Sequence, residues 1–269
     1  MALATLNVYS RALNMDTTLN IILPEQRMQW ASPIGDHRFK LLYLLHGHCG
    51  DHTSWLKDSR IELYLRGCDT ACVLPFGDRS FYVDGAHTHR YQTFIAEELP
   101  VILHNYFPLT EKPEETFIGG LSMGGYGALN IALNHPENYG GVIALSSVID
   151  PFYKEDAEEV LKKGGPALDD EDAILNKEAV FGGPDSFYGS KYDLYAGLHR
   201  LNEKEGHKPR FFMLCGSDDF LVEQNRAFAK EASKLPGIDL SYEEFPGIHD
   251  WYFWDPAIVK GLKYFGIQP

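Results

Sequence analysis

The sequence predicts an α/β fold in which helices cover both faces of a mostly parallel sheet. From residue 39 onward, short apolar β-rich runs alternate with longer helical stretches, a pattern typical of parallel strands joined by crossover helices. The opening segment instead contains two β-rich runs joined by a short polar turn. The length of 269 residues fits one large α/β domain. We therefore expect a single domain over residues 1–269.

The strands and helices follow from the apolar runs and their spacing. Two antiparallel strands at residues 3–10 and 17–23 are expected to extend one edge of the sheet. Further strands are predicted at residues 39–45, 71–74, 116–118, 142–145, 211–214 and 240–245, and helices at residues 91–107, 124–134, 192–205, 222–235 and 256–265. The alternation is broken at about residues 150–190, where aromatic residues favour a small cap over a site.

Composition and charge narrow the classes of partner. The 24 basic and 38 acidic side chains leave a net charge of -14, which disfavours binding to nucleic acid or to anionic membrane surfaces. Four scattered cysteines indicate reduced thiols and a cytoplasmic setting. The first thirty residues show no basic segment followed by an apolar stretch, so no signal peptide is expected. No apolar run is long enough to span a bilayer.

A nucleophilic serine is the strongest chemical signal in the chain. The motif GLSMG at residues 120–124 follows a β run and precedes an alanine-rich helical run, which is the context of a nucleophile elbow. A serine on so tight a turn needs neighbours without a Cβ atom. Ser122 is therefore the predicted nucleophile, and the helix behind it directs amide groups at developing negative charge.

A serine hydroxyl attacks well only beside a base that is itself oriented by an acid. The expected order of serine, acid and histidine is met by CGSDDFL at residues 215–221 and PGIHDW at residues 246–251. His249 is the predicted base, because His199 and His207 lie in a charged helical stretch. Successive residues of an extended segment point in opposite directions, so only one of the two carboxylates can reach the ring. We favour Asp219, with Asp218 as a turn residue.

The segment HGHCG at residues 46–50 follows the first long strand and is the predicted oxyanion strip. Backbone amides of His48 and Met123 are expected to donate to the oxyanion, with Cys49 as the alternative to His48. The same segment offers a rival zinc pattern through His46, His48, Asp51 and His52, but its spacing is one residue too long and no second ligand set follows. Neither a metal nor a cofactor is therefore expected. Residues 76–84 follow another strand end and are a candidate pocket wall.

Taken together, these motifs resemble the esterase D superfamily of α/β hydrolases, and within it the esterases of the tributyrin esterase type. The resemblance rests on YLLHGHCGDHTSW, DRSFYVDG, YQTFIAEELP, GGLSMGGYGAL, CGSDDFL and GIHDWYFW, which fall in family order across nearly the whole chain. It implies an α/β-hydrolase fold with Ser122 as nucleophile, His249 as base and Asp219, directly before Phe-Leu, as acid. His48 and Cys49 depart from the apolar or small residues that relatives often carry in the strip.

The resemblance implies a serine carboxylesterase that cleaves short-chain or aromatic esters, of acetyl, butyryl or feruloyl type, through an acyl-enzyme. Its expected partner is a small-molecule ester, and a homo-oligomer is expected from the family. One alternative is an S-formylglutathione hydrolase-like thioesterase, although those relatives have a strip different from HGHCG. The other is a hydrolase fold that has become a catalytically silent binding protein.

Overall fold

An eight-stranded sheet organises the described part of the protein. The computed structural model describes residues 1–25, 35–153, 157–163 and 171–268. The strands are β1 (Ala2–Ser10), β2 (Met15–Leu23), β3 (Lys40–Leu45), β4 (Thr70–Pro75), β5 (Thr116–Leu121), β6 (Gly141–Leu145), β7 (Arg210–Gly216) and β8 (Leu240–Phe245). Their order is β1-β2-β4-β3-β5-β6-β7-β8. Strands β3 to β8 run parallel, and β2 joins β4 antiparallel. This confirms the predicted fold class and the antiparallel edge.

The central strands are apolar without interruption because both faces of the sheet are covered. In β3, Leu41, Tyr43 and Leu45 belong to the core on one face, whereas Leu42 and Leu44 belong to the core on the other. This alternation follows from the two-residue period of a strand. Each face therefore has its own apolar core.

Helices cover both cores. They are α1 (Ser54–Asp58), α2 (Ile61–Tyr64), α3 (Tyr91–Thr93), α4 (Leu99–Tyr106), α5 (Met123–Asn134), α6 (Ala157–Lys162), α7 (Glu171–Phe181), α8 (Pro184–Phe187), α9 (Leu194–Glu203), α10 (Val222–Ala232) and α11 (Trp251–Tyr264). Helices α4, α5, α9 and α10 pack on one face, and α1, α2 and α11 on the other. Within the described ranges, no helix combines the length and apolarity needed to cross a membrane.

Two predicted helices differ from the structure. The predicted start of the last helix at residue 256 is wrong, because Asp250 caps it by accepting a hydrogen bond from Phe253 N and the helix begins at Trp251. Pro256 lies inside that helix, whereas proline ordinarily marks the first turn. The predicted helix at residues 91–107 contains a π-helical segment, Phe94–Glu98, between α3 and α4.

The segment predicted as a cap contains α6, α7 and α8, while its residues 154–156 and 164–170 lie outside the described residues. Aromatic side chains hold its C-terminal part on the core. Phe181 and Phe187 are buried with ring centroids 5.2 Å apart, and Phe81, from the loop after β4, lies 5.2 Å from Phe181. Helix α7 is therefore packed against the predicted pocket wall at residues 76–84.

Candidate active site

Ser122 lies on a sharp turn between β5 and α5. Its backbone has φ 54° and ψ −118°, in the left-handed half of conformational space that a residue with a Cβ rarely occupies. The turn is held on both sides, because Ser122 N donates to Leu145 O at 2.9 Å and Ser122 O accepts from Tyr126 N at 3.1 Å. The hydroxyl is thus presented at the carboxyl edge of the sheet, directly before a helix N-terminus.

The glycines on either side of Ser122 are required by close backbone approach. A Cβ on Gly120 would lie 2.4 Å from Gly124 O, and a Cβ on Gly124 would lie 2.4 Å from Leu45 O. Both distances are far below van der Waals contact, and both obstacles are backbone atoms that cannot rotate away. The G-x-S-x-G pattern is therefore a steric requirement of this turn.

Three side chains from separate strand ends form a continuous hydrogen-bonded chain. His249 Nε2 lies 2.9 Å from Ser122 Oγ, and His249 Nδ1 lies 2.9 Å from Asp219 Oδ2 and 3.1 Å from Oδ1. Since a carboxylate can only accept, Nδ1 carries the proton and Nε2 is free to accept the serine proton. The structure therefore brings the three residues predicted as nucleophile, base and acid into one arrangement.

Asp218 and Asp219 point to different environments. Asp219 is fully buried and also accepts a hydrogen bond from Leu221 N at 2.9 Å. Asp218 is exposed, and its Oδ2 accepts from Ser217 Oγ at 3.0 Å. Only Asp219 contacts His249, so the backbone turn resolves the choice that strand alternation had left open.

Aromatic rings fix the histidine in place. The ring of Phe220 lies 4.6 Å from that of His249, and the ring of Trp254 contacts it edge to face at 4.9 Å. The side chain of His249 keeps 14% of its surface exposed. By contrast, Tyr252, three residues after His249, is 93% exposed.

The predicted oxyanion strip lies against the elbow. A Cβ built on Gly47 would be 3.7 Å from the Cβ of Ser122, so the backbone at residues 46–48 runs beside the nucleophile. Met123 is the first residue of the twelve-residue helix α5, and the first N–H groups of a helix have no partner within it. The strip and the helix N-terminus therefore both lie next to the serine.

His46 uses both of its ring nitrogens in hydrogen bonds that connect the strip to the loop after β4. Its Nδ1 lies 2.8 Å from Gly47 O and its Nε2 accepts from Gly77 N at 2.9 Å, so both ring nitrogens are used. Tyr82 also donates its hydroxyl proton to His46 O at 3.1 Å. Burial lowers the pKa of His46 from its ordinary value, which keeps the ring neutral in this tautomer.

His48 connects the strip to helix α7. Its Nε2 lies 3.1 Å from Asn176 Oδ1 and 3.2 Å from Arg79 Nε, and Asn176 Nδ2 donates to Arg79 O at 3.2 Å. One ring nitrogen serves one of these partners at a time, as a donor to Asn176 or as an acceptor from Arg79. Sequence analysis did not identify Asn176 or Arg79 individually, although Arg79 falls in the predicted pocket wall.

The competing histidines are used elsewhere. His199 pairs with Glu231 at 3.2 Å on the surface, and His207 Nε2 donates to Tyr139 O at 2.8 Å. Across the described ranges, no three His, Cys, Asp or Glu side chains are grouped so that they could hold a metal ion. The candidate site therefore consists of the serine, the histidine and the aspartate, and the amides of His48 and Met123 stay its predicted oxyanion donors.

Known proteins share this fold and much of this sequence. The family model "Putative esterase" matches residues 10–265. An acetyl esterase of Caldicellulosiruptor saccharolyticus is 38% identical over 271 residues, covering 98% of each chain. The substrate-bound fluorophosphonate-binding serine hydrolase FphF of Staphylococcus aureus is 30% identical, with a TM-score of 0.85 over 100% of this chain and 99% of that one. An S-formylglutathione hydrolase of Staphylococcus aureus is also 30% identical, with a TM-score of 0.82 over 98% of each chain.

Proposed function

The chain belongs to this esterase family and is a carboxylic ester hydrolase, and on that premise we propose that Ser122, His249 and Asp219 are its catalytic triad. The observation that carries the proposal is the continuous chain of contacts from Ser122 Oγ through both nitrogens of His249 to Asp219. Each contact has the direction that proton transfer requires. The comparisons support the class of reaction, and the geometry supports the residues.

In the first half of the reaction, Ser122 Oγ attacks the ester carbonyl carbon while its proton moves to His249 Nε2. The carbonyl oxygen gains the electron pair and becomes an oxyanion, which the backbone N–H groups of Met123 and His48 stabilise. Collapse of this intermediate breaks the bond to the alcohol oxygen. The alcohol leaves with the proton from His249, and the acyl group remains on Ser122.

In the second half, the same groups act on water. His249 Nε2 takes a proton from a water molecule as the water oxygen attacks the acyl carbon. The second oxyanion collapses to the free acid, and the proton returns to Ser122 Oγ. Asp219 stays ionised throughout, holding the proton-bearing Nδ1 and stabilising the positive charge that His249 carries in each transition state.

The proposed substrates are esters of short acyl groups, acetyl first. This rests on the acetyl esterase relative at 38% identity and on the aromatic packing of helix α7 beside the loop after β4. Butyryl and feruloyl-type esters are the next candidates. A panel of acetyl, butyryl, octanoyl and feruloyl esters, compared by kcat/KM, tests this ranking, and a maximum at octanoyl would overturn it.

A second candidate is hydrolysis of an S-formyl thioester, because an S-formylglutathione hydrolase matches 98% of this chain at 30% identity. The chemistry needs the same nucleophile and base, so only the acyl group and leaving group differ. Including S-formylglutathione in the panel separates the two candidates. A kcat/KM for that thioester well above that for acetyl esters would make it the better assignment.

Ser122→Ala tests the nucleophile. We expect it to lower kcat for p-nitrophenyl acetate by about 10⁴-fold or more and to abolish labelling by a fluorophosphonate probe. The matched control is Ser217→Ala, which removes a hydroxyl that bonds to Asp218 instead of to His249 and should keep both activities. If the wild-type protein neither turned over the panel nor reacted with the probe, it would be a binding protein that uses the fold without the chemistry.

The state of the cysteines extends the proposal to location. Cys49 is exposed, whereas Cys68, Cys72 and Cys215 are buried, and all four are free thiols. Unpaired cysteines are typical of reducing compartments, which supports a cytoplasmic enzyme. Cell fractionation followed by activity measurement in each fraction tests this assignment.

A further inference from the structure

A second hydrogen-bonded path links the nucleophile to the acid without passing through His249. It begins in the loop after β6, where Val148 N donates to Ser122 O at 3.3 Å. The same peptide unit presents the carbonyl oxygen of Ser147 on its other side, because a trans peptide is planar and its N–H and C=O point in opposite directions. This oxygen accepts from Asn225 Nδ2 at 2.8 Å. One rigid peptide thus joins the nucleophile turn to the side chain of Asn225.

The path continues from Asn225 to the acid. Asn225 Nδ2 also donates to Leu221 O at 2.9 Å, and Leu221 N donates to Asp219 Oδ1 at 2.9 Å. The other oxygen of this carboxylate lies 2.9 Å from His249 Nδ1. The two hydrogens of one amide group therefore connect the loop that carries the acid with the loop that holds the nucleophile turn.

The orientation of the Asn225 amide is fixed by its neighbours. Ser147 O and Leu221 O can only accept hydrogen bonds, so Nδ2 must face them and Oδ1 must point elsewhere. Asn225 is fully buried, and among the described residues its Oδ1 has no hydrogen-bond partner. The position of this side chain is therefore set by the two bonds that Nδ2 donates.

The loop after β6 has a strained backbone that its neighbours must hold. Ser146 has φ 43°, a left-handed conformation that residues with a Cβ rarely adopt, and it is fully buried. Such strain persists only where the surrounding structure fixes it. The peptide that follows Ser146 is bonded to Ser122 on one side and to Asn225 on the other. Loss of the Asn225 bond would therefore let this turn relax.

We propose that Asn225 is a positioning residue, whose side-chain amide holds the acid Asp219 at a fixed distance from the nucleophile turn. The inference rests on the proposed catalytic triad and adds to it a buried residue that takes no part in the proton transfers. Helix α10, which begins at Val222, carries the amide from the acid loop to the loop after β6. Displacement of a catalytic group by about 1 Å can cost about 10²-fold in rate, and a bond between the two loops prevents such a displacement.

Asn225→Ala removes both donated bonds and tests the link. We expect kcat for p-nitrophenyl acetate to fall by about tenfold to 10²-fold, because the acid and the nucleophile lose their alignment. KM should change little, since the buried Asn225 side chain cannot reach the substrate. The low-field proton resonance of the His249 Nδ1–H, which reports the bond to Asp219, should broaden or shift in this variant.

The matched control is Asn130→Ala. Asn130 is 1% exposed, and its amide donates to Lys191 O and accepts from Gln92 Nε2, so its loss lowers stability at a place that bonds to neither loop. We expect Asn130→Ala to reduce the unfolding temperature much as Asn225→Ala does, while kcat and the His249 resonance stay unchanged. Equal losses of kcat in the two variants would overturn the proposal, as would wild-type kcat in Asn225→Ala.

Asn225→Ser separates the link from the bond within the helix, and it carries the test if the alanine variant does not fold. A serine hydroxyl can donate to the carbonyl four residues earlier in a helix, here Leu221 O. It has a single proton to donate, so it cannot also bond to Ser147 O. The serine variant should therefore lose kcat as the alanine variant does. Recovery of wild-type kcat with serine would show that the bond between the loops has no effect on catalysis and would overturn the proposal.

A double-mutant cycle shows whether Asn225 acts through the acid. In the Asp219→Ala enzyme no carboxylate remains to be positioned, so adding Asn225→Ala should lower the residual kcat far less than it does in the wild type. Losses that multiply would place the effect of Asn225 elsewhere and overturn the proposal. A failure of the triad itself would be distinct, because it would appear as retained activity in Ser122→Ala, whatever the Asn225 variants do.

Discussion

The two halves of the candidate site are held together in different ways. The acid-base half consists of Ser122, His249 and Asp219, each within a few residues of a strand end and each in contact with the next. The oxyanion half depends on the strip at residues 46–50, in which His46 contacts Gly77 and His48 contacts Asn176 and Arg79. The first half is therefore positioned at strand ends, whereas the second also depends on a contact with helix α7, which lies outside the sheet. Substitutions should affect the halves by different mechanisms and to different degrees.

The largest effect is expected in the acid-base half, from Asp219→Asn. The asparagine amide can donate to His249 Nδ1 and so stabilise the tautomer with the proton on Nε2, which cannot accept the serine proton. We expect kcat to fall by roughly 10⁴-fold. Asp218→Asn is the matched control, because Asp218 is exposed and does not touch the ring. Equal losses in the two variants would contradict the assignment of Asp219.

The acid-base half could be located from the sequence because each of its signals is local. The signals are a glycine-flanked serine between a strand and a helix, and acidic and histidine residues after later strands. To place these residues together, one needs only the rule that parallel strands end at one edge of the sheet. The choice between Asp218 and Asp219 was harder, since alternation alone does not say which residue points inward. In the structure a tight turn, with Asp219 N bonded to Gly216 O at 3.1 Å, directs Asp219 toward the core.

The supports of the oxyanion half could not be located in this way. His48 and Asn176 are 128 residues apart, and the residues around Asn176 show only an ordinary helical pattern. The contact exists because aromatic packing places α7 beside the loop after β4, a tertiary arrangement that no spacing rule describes. The start of α11 differs from the prediction for a simpler reason, because Asp250 caps the helix before Trp251 and Pro256, six residues later, is accommodated inside it.

An intermediate effect is expected from Asn176→Ala. The substitution removes a contact of His48 Nε2 and leaves Arg79 O without the Asn176 amide, so the backbone amide of His48 should be less well oriented toward an oxyanion. Loss of a complete oxyanion donor costs about 3 kcal/mol; partial misorientation should lower kcat about tenfold, which corresponds to about 1.4 kcal/mol. KM for acetyl esters should change little, because the oxyanion forms only after binding.

The control for this prediction lies on the same helix. Glu178→Ala changes an exposed residue of α7 and should leave kcat unaltered, whereas a general loosening of the helix would affect both variants alike. A boronic acid that mimics the tetrahedral intermediate should bind the Asn176→Ala enzyme more weakly, in proportion to the fall in kcat. Unchanged binding of this inhibitor would show that Asn176 does not act through the oxyanion strip.

The smallest effect is a pH dependence of stability that His46 gives to the oxyanion half. Burial lowers the pKa of His46 in the folded protein below its ordinary value of 6.5, so between these two values the unfolded chain binds more protons than the folded one. Stability from the neutral ring is therefore fully present above pH 6.5 and is lost as the pH falls toward the folded pKa, by at most about 1.4 kcal/mol per pH unit for one proton. Carboxylates such as Glu98, whose pKa is lowered from 4.5, act in the same direction at more acidic pH.

The variant His46→Gln tests this pH dependence, because glutamine can hydrogen-bond but has no titrating group. The difference in unfolding free energy between wild type and variant, measured in urea from pH 8 to pH 5, should shrink as the pH falls. A constant difference over that range would mean that protonation of His46 does not affect stability, although the ring is buried and hydrogen-bonded at both nitrogens.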